Sequence, residues 1–256
     1  MCLMGEMITV RIYSTLANRN PVMPVLDPET IHPALWRASQ LARSAGRTVA
    51  AADKALAGEL PGGGWPLGTL VELLVQQPGV GELRLLRDAL LALGKRPIAL
   101  LSPPHPPQAL AWGNWGIPAE RLLWLRPQRT ADLLWAAEQL LRAGTCSAVL
   151  CWQQHVRGES LRRLHLAAQA SETLFCLIRP LACARDSSPA PLRVAIAPAP
   201  GGVDLTFVKR RGPQQEVPLR LALAPSPILL SRHAAPVDLP SPTVATPRSL
   251  PAELVN

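Results

Sequence analysis

The feature that most constrains the fold is a regular alternation of short apolar runs with amphipathic segments between residues 60 and 180. The apolar runs are flanked by chain-breaking residues, a pattern typical of strands that are covered on both faces. The predicted strands lie within residues 60–75, 97–102, 122–126, 147–152 and 173–180, and the predicted helices span residues 82–93, 108–116, 130–144 and 158–171. This alternation predicts an α/β fold with a mainly parallel sheet flanked by helices.

The ends of these elements and the region after Pro180 follow different signals. Thr130 is the predicted N-cap of its helix, and Gly144 is the predicted C-terminal stop. After Pro180 two apolar runs, residues 192–198 and 203–211, are joined by the turn sequence PAPGG. They predict a C-terminal antiparallel hairpin that extends the sheet, with residues 217–223 as a further strand.

Three regions are expected along the chain. Residues 1–30 contain three prolines and predict a poorly ordered leader, in which Met23 is an alternative start. Residues 31–223 form the packed domain, which begins with a helix over residues 33–44. Residues 224–256 are rich in Pro, Ser and Ala and predict a disordered tail, with a peptide docked on a partner as the alternative.

Composition limits the cellular setting. The 256 residues are 48% hydrophobic and carry 26 basic against 18 acidic side chains, a net charge of +8 that favours polyanions; a solvated basic surface is the alternative. The five cysteines include no C-x-x-C pair, which indicates reduced core residues of a cytosolic protein. No apolar run reaches the roughly 18 residues that span a bilayer, so we expect a cytoplasmic protein without a membrane segment.

The segment VQQPGVGELRLL, residues 75–86, lies between a predicted strand and a predicted helix and resembles a phosphate-binding loop. Such a loop follows its last glycine with a Lys that neutralises phosphate oxygens and a hydroxyl that binds magnesium. Here Gly79 and Gly81 keep the turn, but Glu82 and Leu83 follow. A carboxylate repels a polyphosphate and leucine cannot bind a metal ion, so we predict a degenerate loop without a nucleotide cofactor. Glu82 would still stabilise the first helical turn, by about 0.3–1 kcal/mol.

Tryptophan and arginine supply the other candidate contact residues. Trp124, Trp135 and Trp152 lie in apolar patterns and are predicted core residues. Three other tryptophans lie beside glycines, namely Trp65, Trp112 and Trp115. We expect these three to be partly exposed and available as interface anchors. Arg162 and Arg163 share one helix face that could contact phosphate or an acidic partner, although a solvated face is the alternative.

Neither metal binding nor acyl transfer is predicted. His155 and His165 have no partner at metal-ligand spacing, and Ser102 lacks the context of a catalytic nucleophile. We therefore expect no metal site and no catalytic residue.

From about Val49 to Pro218 the succession of elements resembles the core of RecA-type recombinases. The combination of LPGGGWPLGTLVELL, GVGELRLL, an RP-ending strand and SPAPLR closely resembles the ImuA family. This resemblance implies a RecA-like core of the P-loop type. It also implies a non-catalytic accessory protein in SOS-induced translesion DNA synthesis, DNA repair and damage-induced mutagenesis. The implied partners are the inactive polymerase relative ImuB, an error-prone polymerase and RecA, with direct DNA contact left open.

The recombinase motifs are degenerate at other positions too. Where the recombinases carry their water-activating carboxylate, this chain has Pro103, Pro104 and His105, and their magnesium-orienting Asp is replaced by Cys151 or Trp152. The resemblance therefore implies that ATP is not hydrolysed. A basic stretch that in recombinase filaments reaches the neighbouring nucleotide is matched by three residues, which predict a cationic edge for a protein or DNA; they are Lys209, Arg210 and Arg211.

Two further functions stay open as alternatives. The first is a SulA-like inhibitor of cell division, which would use the same degenerate core to bind the tubulin-like division protein. The second is a cryptic DNA-dependent ATPase, which would require measurable nucleotide affinity.

Overall fold

A computed structural model of the protein describes residues 46–51, 53–213, 215 and 217–223. The predicted leader, the predicted helix over residues 33–44, the tail from residue 224 and Cys2 all lie outside these residues. No helix in the described ranges is long and apolar enough to cross a membrane.

The described chain contains ten strands and five α-helices. The strands are β1 (Thr48–Ala50), β2 (Gly64–Pro66), β3 (Thr69–Val75), β4 (Ile98–Leu101), β5 (Leu122–Leu125), β6 (Ala148–Trp152), β7 (Leu174–Pro180), β8 (Leu192–Ala199), β9 (Gly202–Lys209) and β10 (Leu219–Ala222). The helices are α1 (Lys54–Glu59), α2 (Glu82–Ala92), α3 (Ala109–Asn114), α4 (Thr130–Ala143) and α5 (Gly158–Ala168), and short 3₁₀ helices cover Pro61–Gly63, Ala119–Arg121 and Leu181–Arg185.

Eight strands form one mixed sheet in the order β10-β9-β8-β3-β7-β6-β4-β5. The six strands from β3 to β8 run parallel to their neighbours within this group. β9 pairs antiparallel with β8, and β10 pairs antiparallel with β9. The mainly parallel sheet, the C-terminal hairpin and the additional strand over residues 217–223 thus agree with the sequence prediction. β1 and β2 form a separate antiparallel pair.

The sheet is covered on both faces because alternate residues of its strands enter different hydrophobic clusters. On β7, Cys176 belongs to the cluster that includes Leu86 of α2, whereas Phe175 belongs to the cluster that includes Leu133 of α4 and Leu164 of α5. Covering on both faces explains why the strands are apolar at nearly every position.

The two predicted ends of α4 have different outcomes. Gly144 lies in the left-handed conformation, with φ 61°, and its N–H bonds to the carbonyl of Leu140, which confirms it as the C-terminal stop. The prediction that Thr130 is the N-cap is wrong. Thr130 is the first helical residue, and Arg129 occupies the cap position without a side-chain hydrogen bond to the helix.

The predicted exposure of the tryptophans is largely reversed. Trp65 is fully buried and Trp112 is buried, whereas Trp124 and Trp135 are 46% and 62% exposed. Trp115 is partly buried and packs edge-on against Trp112, with ring centroids 5.6 Å apart. Trp65 is buried because β2 packs into the first cluster, and Trp124 is exposed because β5 is the terminal strand of the sheet. Trp152 is buried, as predicted.

The four described cysteines are free and buried, in agreement with their prediction as core residues. Burial raises the pKa of Cys151 to about 12 and also raises the pKa of Cys176. Both thiols therefore stay protonated and unreactive near neutral pH.

Candidate functional site

The loop between β3 and α2 lies at the carboxyl edge of the parallel strands, where open α/β sheets place their ligands. Two of its glycines adopt positive φ, 87° at Gly79 and 128° at Gly81. A Cβ atom on Gly81 would also come within 2.6 Å of Cδ1 of Leu223, beyond the end of β10. The positive φ favours glycine at residue 81, whereas the Leu223 side chain could shift to accept a Cβ atom, so the sharp turn predicted from the sequence is present.

The side chain of Glu82 folds back into this loop. Its Oε1 accepts a hydrogen bond from the N–H of Gly79 at 2.9 Å. Its Oε2 lies 3.1 Å from the same nitrogen and 3.2 Å from the nitrogen of Gly81. These backbone donors, at the N-terminus of α2, are of the kind that bind phosphate in working loops. Glu82 is only 2% exposed, so its own carboxylate fills the anion position and shields it from solvent.

The hydrogen bonds of Glu82 add a contribution that the sequence does not show, where only electrostatic repulsion and the helix dipole could be inferred. Leu83 packs against the first hydrophobic cluster and supplies no oxygen for a metal ion. That the loop binds no nucleotide stays a prediction, but the geometry adds a second physical reason for it. A competing phosphate would have to displace a carboxylate that belongs to the same chain and is already in place.

Beside the loop lies a mainly apolar cavity of about 220 Å³. Its lining includes Leu100, Trp112 and Trp152 together with the segment Pro103–Pro107. Among the described residues no group of three or more His, Cys, Asp or Glu side chains could hold a metal ion. The cavity can receive apolar groups, and its described lining also includes the polar residues Glu82, His105 and Gln108.

A buried ionic cluster, which the sequence analysis missed, lies in the centre of the sheet. Glu72 of β3 is fully buried, and its carboxylate oxygens lie 2.5 Å from Nε of Arg193 and 3.3 Å from Nη1 of Arg179. Arg179 also bonds to Asp186 at 3.1 Å. The guanidinium of Arg193 donates further hydrogen bonds to the carbonyls of Cys183, Ala184 and Asp186. The cluster therefore stabilises the packing of the 3₁₀ helix Leu181–Arg185 against the sheet.

The predicted cationic edge is only partly free. Lys209 and Arg211 are exposed, and Nζ of Lys209 donates to the carbonyl of Ser188 at 3.0 Å. The side chain of Arg210 is instead largely buried, because it forms an ion pair with Glu59 and lies 4.9 Å above the Phe207 ring. The predicted contact of Arg210 with a partner would therefore compete with its internal ion pair to Glu59.

The predicted pair of arginines on α5 also differs in environment. Arg162 is exposed, but Arg163 is bound to Glu138 of α4 at 2.5 Å. Glu138 also pairs with Arg142 at 2.8 Å. Arg163 therefore joins two helices while its side chain stays 61% exposed, so the solvated or partner-binding face predicted for both arginines stays a prediction.

His165 should make stability depend on pH. Its Nδ1 lies 3.4 Å from the backbone nitrogen of Leu70, and both burial and the nearby Lys209 lower its pKa. The unfolded chain therefore binds the proton first, so this contribution to stability is complete above the ordinary pKa of 6.5 and is lost as the pH falls below it. We expect urea midpoints to fall between pH 7.5 and pH 5.5 by less in His165→Gln than in the natural protein. Equal decreases in the two proteins would contradict the assignment.

The chain is similar to known proteins over parts of its length. No family model matches it. The cell division inhibitor SulA of Edwardsiella piscicida is 32% identical over 76 residues, which cover 30% of this chain and 45% of that relative. The chain thus spans less than half of the curated relative that it matches. A crystal structure of SulA from Pseudomonas aeruginosa is 26% identical and matches 43% of this chain and 97% of that chain, with a TM-score of 0.36.

These comparisons correct the family that the sequence motifs suggested. The assignment to the ImuA family is wrong, because the curated relative that the chain matches is a SulA inhibitor. The predicted partners in translesion synthesis, namely ImuB, the error-prone polymerase and RecA, are wrong for the same reason. The alternative, a SulA-like inhibitor of cell division, is the hypothesis that the comparisons support.

Proposed function

We propose that this protein is a non-catalytic inhibitor of cell division that acts, like SulA, in the response to DNA damage. The observation that carries the proposal is the 32% identity to a SulA inhibitor over 76 residues. On this proposal the protein works in the cytoplasm during the SOS response and binds the tubulin-like division protein. It performs no chemistry of its own.

The loop geometry supports the non-catalytic part of the proposal. The carboxylate of Glu82 takes the hydrogen bonds of the Gly79 and Gly81 N–H groups, and the cavity beside it is apolar. We propose that the domain is a RecA-like core that has lost nucleotide binding. Support comes from the order of β3, the glycine loop and α2 along the chain, and from the parallel pairing of β3 with β7 and β8 at whose carboxyl edge the loop lies.

Production of the protein in a rod-shaped bacterium should block division while growth continues. We expect long filaments with separated nucleoids, observed by microscopy after induction. The Glu82→Gln variant, which keeps a side chain of the same shape in the loop, should cause the same filamentation, because the proposed inhibition uses no nucleotide there. Cells of normal length that contain folded protein would contradict the proposal.

The same function can be tested with purified components. Mixing the protein with the tubulin-like division protein should reduce the polymer that sediments, and added ATP should not change the result. Inhibition that requires ATP, or saturable binding of a fluorescent ATP analogue that single-stranded DNA enhances, would favour the cryptic ATPase instead.

A further inference from the structure

A second cavity lies at the opposite edge of the sheet from the glycine loop. It has a volume of about 460 Å³ and opens between the amino ends of β3 and β8, at Thr69 and Leu192, and the carboxyl end of β9, at Lys209. Nothing in the proposed function assigns a role to this cavity. Its chemistry differs from that of the apolar cavity beside the loop, because its rim is cationic.

Four cationic side chains line the cavity; they are Arg47, Lys209, Arg210 and Arg211. Two carboxylates adjoin them, since Glu172 pairs with Arg47 and Glu59 pairs with Arg210. Among the residues that the structure describes, Lys209 and Arg211 have no carboxylate within salt-bridge distance, so the described part of the rim carries two positive charges in excess. A partner with acidic side chains would supply the missing opposite charges.

Two of the four rim cations, Lys209 and Arg210, are held in place before any partner arrives. Nζ of Lys209 is bonded to the carbonyl of Ser188 at 3.0 Å, and Nε of Arg210 is bonded to the carbonyl of Pro213 at 2.7 Å. The Phe207 ring supports the guanidinium of Arg210 from one side. A rim that is already ordered loses little conformational entropy on binding.

The walls of the cavity favour a peptide over a nucleic acid. Proline and leucine side chains form its apolar part; they are Pro61, Pro66, Leu67, Pro189, Pro191 and Leu192. Thr69 and Gln169 add a hydroxyl and an amide that can bond to peptide groups. The lining residues that the structure describes include no Trp, Tyr or Phe and a single imidazole, that of His165, so they offer little aromatic surface on which bases would stack.

We propose that this cavity binds an acidic peptide segment of a protein partner, whose carboxylates pair with Lys209 and Arg211. The proline walls contact the extended backbone of the segment, and the bound cations fix where its acidic residues lie. Peptide binding in this cavity can be tested independently of the proposed inhibition of cell division, because the ligand is defined by charge and shape alone.

The test uses the full chain and fluorescein-labelled hexaglutamate as the probe, followed by fluorescence anisotropy at low salt. We expect saturable binding that weakens as salt is added. The double variant Lys209→Glu with Arg211→Glu should bind at least tenfold more weakly. The matched control, Arg126→Glu with Arg129→Glu, changes the net charge equally at exposed residues beside β5 and should bind like the natural protein. Circular dichroism should show that both variants are folded.

Three outcomes would overturn the proposal. The first is the absence of saturable binding at low salt. The second is an equal loss in both double variants, which would mean that net charge alone attracts the probe. The third is tighter binding of a labelled oligothymidylate than of hexaglutamate through Lys209 and Arg211, which would assign the cavity to nucleic acid.

Discussion

Replacing Glu72 by glutamine should lower the free energy of unfolding by about 3–5 kcal/mol, a loss typical of removing one partner from a buried ion pair. Glu72 is fully buried, and it neutralises Arg193 and Arg179 inside the sheet. The glutamine keeps the shape of the side chain but leaves Arg179 with Asp186 as its carboxylate partner and leaves Arg193 with none among the described residues. Because domains are stable by about 5–15 kcal/mol, the variant should lose a large part of its stability.

Urea denaturation followed by circular dichroism measures this effect. The matched control is Asp204→Asn, which removes the charge from a pair with Arg220 near the surface. Exposed pairs contribute little because water already solvates their charges. The control should therefore shift the urea midpoint far less than Glu72→Gln does. Similar shifts for the two variants would show that burial does not strengthen the Glu72 cluster.

Replacing Glu82 by alanine should be the next most damaging change, with a loss of about 2–3 kcal/mol from the hydrogen bonds to its carboxylate. The substitution leaves the N–H groups of Gly79 and Gly81 without their acceptor. Those donors would then be available to an anion from solution. We expect inorganic phosphate to raise the stability of Glu82→Ala more than that of the natural protein, because a ligand that binds only the folded state stabilises it.

The experiment compares urea midpoints in phosphate and in chloride at equal ionic strength. Glu82→Gln is the control, because its side-chain oxygen can still accept a hydrogen bond from the loop while its charge is lost. It should be less destabilised than Glu82→Ala and should gain less from phosphate. If Glu82→Ala were as stable as the natural protein, the carboxylate would not be what completes the loop.

Most strands and helices could be predicted because local patterns determine them, whereas β1, β2 and α1 were not predicted. The strand β3 is recognisable from its Leu and Val residues, and α4 from the spacing of its apolar residues and from Gly144. Strand order is a different matter, because it depends on contacts between distant parts of the chain. The sequence pattern therefore could not show that β5 is a terminal strand, and Trp124 was predicted to be buried.

The glycine loop, like the strands, could be predicted from the sequence only in part. The loop and the missing lysine are visible in the sequence, but the turn of the Glu82 side chain toward Gly79 depends on side-chain geometry. One signal was available, since an acid in the first turn of a helix can reach back to backbone donors, as in a capping box. For the ionic cluster the signal was a Glu in β3 and an Arg in β8, each inside an otherwise apolar run.

The error in the family assignment has a physical basis as well. A glycine turn, a buried strand and an alternating pattern specify an α/β core, and the same core can carry different functions. The residues that choose a partner lie on the surface and leave no periodic signal. The motifs were therefore informative about the core and misleading about the partner.

The carboxylate of Glu82 also bears on when the protein can act. Many proteins with a glycine loop of this kind change shape as the supply of triphosphate changes, because the nucleotide completes the loop. Here a residue of the chain itself completes it. On the proposal that the loop binds no nucleotide, the folded form should be the same in a starved cell as in a growing one, and the proposed inhibition should not depend on the energy state of the cell.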